Sequence, residues 1–264
     1  MSDPGPSLPP EVFDSIIDDL HDRPEALKTC SLVSKSWVPR ARGHLFYKIK
    51  FRSSEDLDAW KRAFPDPTKS PAYHTRSLSV LCTESVTSAD AEEGGWLHPF
   101  SNVVRLELWG NGAVWQEPTP KISFIPFYGF SRVVKSLHIM CPLLPLAAVF
   151  GLIYSLSLLE NLTIISSSMD ARDMDEAVPR PSKLPPLTGT LCVHRSLEYI
   201  VRRLLDLPDG LHFHELTCSG CLTADLEWVT TLVERCSDTL ELVNIDCLMH
   251  GKLLPSGPCN VSGA

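Results

Sequence analysis

The amino-acid sequence predicts an α/β solenoid, in which a small all-α domain at the N-terminus is followed by an irregular array of short parallel strands and helices. Apolar residues recur at helical spacing in two groups between residues 8 and 37. Beyond residue 70, seven short segments with alternating apolar residues recur, each starting 25 to 31 residues after the previous one. Such an interval accommodates one strand and one helix per unit.

The first predicted helix begins at Leu8, with two prolines and a glutamate in the next three positions. Prolines in the first turn cost no backbone hydrogen bond, and the glutamate lies near the positive end of the helix dipole. A second helix start follows at Asp22, with Glu25 three residues on. The apolar residues of the two helices are Val12, Phe13, Ile16, Ile17 and Leu20, then Leu27, Cys30 and Val33, up to Trp37.

This stretch carries more apolar side chains than it can bury, because a domain of about 45 residues covers only a modest fraction of its own surface. An ordinary helical hairpin, in which all of these residues are core, is the alternative. Residues 7–48 resemble the F-box in the Leu-Pro-Pro-Glu start, the Ile-Ile pair and the Leu-x-x-Cys-x-x-Val run. The resemblance implies that one face binds the Skp adaptor of a cullin-RING ubiquitin ligase, through Leu8, Pro9, Ile16, Ile17, Leu27, Cys30, Val33 and Trp37.

Pro39, two residues after Trp37, departs from the F-box pattern. A proline inside a helix removes one backbone hydrogen bond, so it disturbs the third helix only if that helix has already passed its first turn. Residues 55–64 follow as a predicted linking helix between the F-box and the first strand.

The repeated segments predict strands whose alternate residues are buried, at 77–80, 105–108, 136–139, 161–164, 190–193, 215–218 and 242–245. Several have another apolar residue three positions before the first buried one, as in Val103, Val134, Leu159, Phe213 and Leu240. Helices are expected at 146–158, 195–207 and 224–236, and long loops at 110–131 and 166–186. The array resembles the leucine-rich repeats of one class of F-box proteins, which act as substrate receptors.

Composition excludes several classes of function. A net charge of −8 disfavours nonspecific nucleic-acid binding as the main role, although six basic residues and no acidic one lie between Lys35 and Arg52. We interpret that run as a solvated basic face, with a nucleic-acid contact as the weaker alternative. Nine cysteines without a secretion signal indicate reduced thiols in the cytoplasm or nucleus. The uncharged run 139–159 is broken by prolines and favours a buried helix over a membrane span.

Catalytic and metal signatures are not apparent in the sequence. We found no paired nucleophile and base, no phosphate loop and no metal signature, so neither enzyme activity nor a cofactor is expected. Cys218 and Cys221 have the spacing of half a zinc site, but the repeat explains them better, as a buried strand position and a turn position.

The strand pattern also predicts a binding surface, because residues that alternate with the buried ones point to the opposite face. That face is expected to carry the candidate substrate-binding residues, which are Arg105, Glu107, Trp109, His138, Met140, His194, Glu215 and Asp246. Thr163, Ile165, Thr217 and Asn244 accompany them. Trp109 is the best single anchor, unless it packs under the 110–131 loop.

Together these features predict a nonenzymatic substrate receptor of an SCF-type ligase, without nucleic-acid or membrane partners. Its expected divisions are a disordered start at 1–6, the F-box at 7–48, a linker helix at 49–70, leucine-rich repeats at 71–250 and a disordered tail at 251–264. The alternative is a leucine-rich-repeat interaction scaffold that never enters a ligase.

Overall fold

The computed structural model describes residues 9–82, 96–110, 125–130, 132–140, 143–144, 146–165, 168–169, 185–195, 197–207, 210–249 and 252–253. Three short helices come first and an eight-stranded, all-parallel sheet with further helices follows, which confirms the α/β class. The sheet is not curled, so the curved form expected of a solenoid is not seen. The expected disordered segments 1–6 and 251–264 lie wholly or mostly outside the described residues.

The helices have the following bounds. The first three are α1 (Pro10–Asp19), α2 (Pro24–Val33) and α3 (Val38–Leu45), which we call the three-helix unit. They are followed by α4 (Ser54–Ala63), α5 (Leu146–Ser155), α6 (Leu197–Leu205) and α7 (Leu226–Arg235). Short 3-10 helices occupy Pro67–Lys69, Pro71–His74, Ile125–Phe130 and Thr223–Asp225.

The main sheet contains the strands in chain order. They are β1 (Lys48–Phe51), β2 (Ser77–Leu81), β3 (Arg105–Trp109), β4 (Ser136–Met140), β6 (Asn161–Ile165), β8 (Thr190–His194), β9 (Glu215–Cys221) and β10 (Leu242–Met249). Each pairs in parallel with the next, and β11 (Lys252–Leu253) adds antiparallel to β10. A separate parallel pair is formed by β5 (Leu143–Leu144) and β7 (Ser168–Met169).

All seven predicted strands are present, and their first apolar positions are buried and aligned in register from Leu78 to Val243. The strand β1 was missed. It is only four residues long and directly follows a helix, so its alternation of Lys with Ile49 and Phe51 is too short to stand out. Its two apolar residues nevertheless belong to the same core as those of the later strands.

The predicted helices are also confirmed, within a few residues at their ends. The uncharged run contains the helix α5, whose ten residues include the buried Val149, Phe150 and Leu152. Within the described ranges, no helix is both long and apolar enough to span a membrane. The predicted linking helix is α4, capped by Ser53, whose hydroxyl accepts a hydrogen bond from the Asp56 amide at 3.3 Å. The predicted 110–131 loop contains the 3-10 helix Ile125–Phe130, in which Phe127 is buried.

The three-helix unit has its own small core, made of Ile17, Leu27 and Ala41. Pro39 lies in the first turn of α3, where no helix hydrogen bond is lost, so the departure noted in the sequence leaves α3 intact. The unit is joined to the sheet through backbone hydrogen bonds. The Tyr47 carbonyl accepts from the amides of Arg76 and Ser77 at 2.9 and 3.0 Å.

We expect Leu159→Ala to lower the free energy of unfolding by about 2–5 kcal/mol, because Leu159 is fully buried and its truncation leaves a cavity in the core. The neighbouring Leu158 is 41% exposed, so Leu158→Ala should cost at most about 0.5 kcal/mol. Urea unfolding followed by circular dichroism compares the two. Equal losses would contradict the burial assigned to this pair.

Candidate protein-docking surfaces

The three-helix unit exposes several large apolar side chains. On α1, Val12 and Ile16 lie four residues apart on one face and are 40% and 47% exposed. At the end of α2, Leu32 is 86% exposed and Val33 is 63% exposed. Leu32 was missed by the sequence reasoning because it lies off the apolar stripe of its helix. A bulky side chain between Ser31 and Val33 was the signal that could have found it.

The predicted Skp-binding residues differ in how deeply they are buried. Pro9, Ile16 and Val33 are exposed, whereas Ile17 and Leu27 are each 1% exposed and form the core of the unit. Cys30 and Trp37 are half-buried against that core, and Leu8 lies outside the described residues. The docking face drawn from the sequence therefore needs correction: Ile17 and Leu27 hold the helices together and present almost no surface to a partner.

Trp37 has a packing role that can be stated from its contacts. Its ring lies 5.1 Å from that of Phe13, centroid to centroid, at an interplanar angle of 41°. Its carbonyl also accepts a hydrogen bond from the Ala41 amide at 2.9 Å, in the first turn of α3. Trp37 therefore links α1 to the start of α3, while part of its side chain stays accessible.

Contacts of Arg40 and His44 with the Asp18 carboxylate hold α1 against α3. Arg40 donates through Nε to Asp18 Oδ1 at 2.6 Å and through Nη2 to Asp18 Oδ2, and His44 Nε2 lies 2.7 Å from Oδ1. The bidentate hydrogen bonds from Arg40, followed by the contact with His44, hold the pKa of Asp18 well below its usual value. Arg40 thus belongs to the structure of the unit and contributes little to the basic face predicted for residues 35–52.

A cavity of about 640 Å³ lies between α3 and the first strands of the sheet. Its lining includes Asp14, Arg40, His74 and Arg76, with Tyr47 at its edge. His74 Nε2 is buried without a hydrogen-bond partner among the described residues, and burial lowers the pKa of His74. Acidic and basic groups are mixed around this cavity, so its electrostatics favour neither an anion nor a cation.

The second surface is the side of the main sheet opposite the core, which we call the open face. Strand register divides it into three rows. The first is Lys48, Ser77, Arg105, Ser136, Asn161, Thr190, Glu215 and Leu242; the second is Lys50, Ser79, Glu107, His138, Thr163, Cys192, Thr217 and Asn244; the third is Leu81, Trp109, Met140, Ile165, His194, Ser219 and Asp246. The eight candidate substrate-binding residues all lie on this face.

Most side chains of the open face are half-buried or exposed, and several are fixed by neighbours. His194 Nδ1 lies 2.9 Å from the Ser219 hydroxyl, and the Thr190 hydroxyl donates to Glu215 at 3.0 Å. Burial is the main cause that lowers the pKa of His138, so its imidazole is neutral at physiological pH. The centre of the face is therefore mainly polar, with Met140 and Ile165 as its apolar residues.

Trp109 is less free than the sequence suggested. The ammonium of Lys50 lies 4.1 Å from the centroid of its ring, a cation–π distance. Its indole N–H is buried and has no hydrogen-bond partner in the described part of the chain. Most of the loop that was expected to cover the ring, residues 111–124, lies outside the described residues. Lys50 therefore shares the position that we assigned to an aromatic anchor.

The cysteines near the end of the sheet do not form a metal centre in the described part of the chain. Burial raises the pKa of Cys218 to about 12 and that of Cys221 to about 11, so both thiols are protonated at neutral pH. No group of three or more potential ligands lies close together among the described residues. Cys218 occupies the buried strand position that the repeat pattern predicts.

Comparison with known proteins gives no relative: no protein-family model matches the chain, and no curated protein or solved structure matches it. The resemblance to F-box proteins with leucine-rich repeats therefore rests on the residues of this chain alone.

We expect Asp18→Asn to loosen the three-helix unit at neutral pH. The folded-state pKa of Asp18 lies below its ordinary value of 3.8, so its contribution to stability is present above that value and is lost as the pH falls below it. The difference in urea midpoint between wild type and Asp18→Asn should therefore shrink from about pH 5 to about pH 2.5.

The matched control for this prediction is Asp19→Asn, which removes the same charge from the next, exposed residue of α1. It should leave the urea midpoint almost unchanged at every pH. A difference for Asp18→Asn that does not depend on pH would contradict the role given to the charged carboxylate.

Proposed function

We propose that the chain is a nonenzymatic substrate-recognition adaptor of a cullin-RING, SCF-type ubiquitin ligase, in which the three-helix unit is an F-box that docks on the Skp adaptor and the sheet domain binds a protein substrate. The observation that supports this most is the exposed apolar surface of the three-helix unit. Such an adaptor acts in the cytoplasm or nucleus, and the seven cysteines in the described ranges are all unbridged, which fits a reducing compartment.

The argument for docking starts from the size of the core. Only Ile17, Leu27 and Ala41 are fully buried in the unit, while large apolar side chains on both α1 and α2 stay exposed. Exposed apolar residues that are this concentrated indicate a surface covered by another protein. Ile16 and Val33 lie on this surface and are also positions at which the F-box resemblance implies contact with the Skp adaptor.

For the remainder of the chain we propose irregular leucine-rich repeats. Each repeat would supply one strand of the main sheet, and the apolar residue three positions before the first buried residue of that strand would pack beneath it. Val103, Val134, Leu159 and Phe213 are fully buried at these positions, and Leu240 is half-buried. The sequential pairing of strands in chain order also supports a repeat array, in which each unit contacts only its neighbours.

The activity of such a protein is positioning. The three-helix unit would tether the chain to the ligase, and the open face would hold the substrate, so that a substrate lysine is kept near the charged ubiquitin-conjugating enzyme. Tethering raises the effective concentration of the lysine and replaces a bimolecular encounter by an intramolecular one. Bond making and bond breaking belong to other subunits.

We expect Ile16→Asp combined with Val33→Asp to abolish copurification with a coexpressed Skp adaptor, because both changes place a charge on the exposed apolar surface. Leu27 is unsuitable for this test, since a charge in the core would unfold the unit. Recovery of the adaptor on the affinity-tagged chain is the measurement, with circular dichroism to show that the variant is folded.

The matched control is Ser15→Asp combined with Thr29→Asp, which adds the same charge at exposed polar positions of the same two helices. This control should copurify as wild type does. Unchanged recovery with the Ile16 and Val33 variant would count against the docking surface. Binding of the adaptor without recruitment of a cullin would favour the alternative of an interaction scaffold outside any ligase.

A further inference from the structure

The open face carries positive charge at one end. Lys48, Lys50 and Arg105 point to it from β1 and β3; we call these three residues the basic end. All three are exposed, and no carboxylate within the described ranges forms an ion pair with them. Glu107 lies among them, so three basic side chains stand against one carboxylate.

The opposite end of the face carries negative charge. Glu215 and Asp246 point to it from β9 and β10, and Glu241 directly precedes β10; we call these three residues the acidic end. The remaining positions of the open face on these two strands are Thr, Ser, Leu and Asn, and the exposed Arg195, at the end of β8, lies beside Gly220 of β9. The strand positions of the two ends therefore carry charges of opposite sign.

Between the two ends the strand positions of the face carry no Asp, Glu, Lys or Arg. The positions on β4, β6 and β8 are serine, two threonines, asparagine, cysteine, two histidines and two apolar residues, Met140 and Ile165. Met140 is 40% exposed. At the edge of this section Lys135 and Glu160 form an ion pair of 2.7 Å, so their charges cancel. The centre of the face can accept small polar and apolar side chains.

We propose that the open face binds an extended protein segment of about ten residues, with acidic side chains at one of its ends for the basic end of the face and basic side chains at the other for the acidic end. The two charged ends lie four spacings apart from β3 to β9 and seven apart from β1 to β10, which at about 4.8 Å per spacing is roughly 19 to 34 Å; an extended chain spans the longer distance in about ten residues. In this arrangement the bound segment runs across the strands, roughly at a right angle to them. The proposal depends on the proposed function only in taking this segment to belong to a ubiquitination substrate.

The separation of the charges is what makes the face selective for a bipolar segment. A separation of roughly 19 to 34 Å exceeds the Debye length of about 8 Å at physiological salt, so each end attracts or repels a ligand independently of the other. A uniformly acidic ligand gains at the basic end and is repelled at the acidic end. Nucleic acid is such a ligand, so the open face favours a protein segment over nucleic acid. In the basic run of residues 35–52, Arg40 is in addition already bound to Asp18.

The experiment measures binding of a fluorescein-labelled peptide to the full chain by fluorescence anisotropy at low salt. The ten-residue peptide consists of three aspartates, then four residues that are alanine or serine, then three lysines. Reversing the basic end with Lys48→Glu, Lys50→Glu and Arg105→Glu should weaken binding at least roughly tenfold, since each pair changes from attraction to repulsion. Reversing the acidic end with Glu215→Lys, Glu241→Lys and Asp246→Lys should have a similar effect.

The decisive variant combines both reversals. A bipolar peptide can turn around, so a chain in which both ends are reversed should regain wild-type affinity, whereas damage to the fold would add up. Arg23→Glu, Lys35→Glu and Arg62→Glu serve as the matched control for the basic-end reversal, because they change the net charge by the same amount as that reversal, at exposed residues outside the open face. This control should bind as wild type does.

Three results would overturn the proposal: no binding of the bipolar peptide at low salt, continued weak binding by the doubly reversed chain, or equal or tighter binding of a peptide with ten acidic residues or of a ten-nucleotide DNA. The assay contains no Skp adaptor. A failure of adaptor copurification therefore leaves this result unaffected, and a failure here leaves the adaptor result unaffected.

Discussion

The backbone hydrogen bonds at the start of each strand are the constraint on which the rest of the structure depends. The carbonyl of the residue before a strand accepts hydrogen bonds from two amides at the start of the next strand. Arg76 O accepts from the amides of Val104 and Arg105 at 2.8 and 2.9 Å. Val104 O accepts from those of Lys135 and Ser136 at 2.9 and 3.1 Å. The same arrangement continues to His214, whose carbonyl accepts from Glu241 and Leu242. Every strand therefore starts at the same level, and no one-residue slip exchanges the apolar side for the open face.

The ladder tolerates one irregular step, and side chains compensate for it. Glu160 O accepts only from Gly189 at 3.0 Å, and the second acceptor for the next strand is the side chain of Asn161, which binds the Thr190 amide at 2.8 Å. A Cβ at Gly189 would lie 2.1 Å from Asn161 Oδ1, so a larger residue here would displace the Asn161 side chain from its hydrogen bond with Thr190. The register of β8 is kept after the long segment that precedes it, because the Asn161 side chain replaces a backbone carbonyl as the acceptor for the Thr190 amide.

Sequence reasoning succeeded where the physics is local. The alternation in 105–108 or 136–139 has the period of a strand with one buried side, and that is sufficient to predict both the strand and its core positions. It failed where the outcome depends on what packs against a residue. Helical spacing marks Ile16 and Ile17 equally as apolar, but only the position of α3 decides that Ile17 is core and Ile16 is exposed. Asp18 meets Arg40 and His44 across 22 and 26 residues, a separation that no local pattern reveals. The partial cover of Trp109 by Lys50 also follows from β1, the strand that was too short to predict.

The two surfaces differ in the kind of attraction they offer, and that difference bears on how they can work together. The three-helix unit presents apolar side chains, whose burial depends little on ionic strength, while the ends of the open face present charges that salt screens. Only Phe46 and Tyr47 separate α3 from β1, so the basic end of the open face lies next to the unit, with the acidic end across the sheet. A partner held by apolar contacts on the unit can thus persist while a segment on the open face exchanges. A protein that holds one partner constantly and brings many molecules of a second partner to it, one after another, needs a stable attachment beside a weaker, charge-selective site.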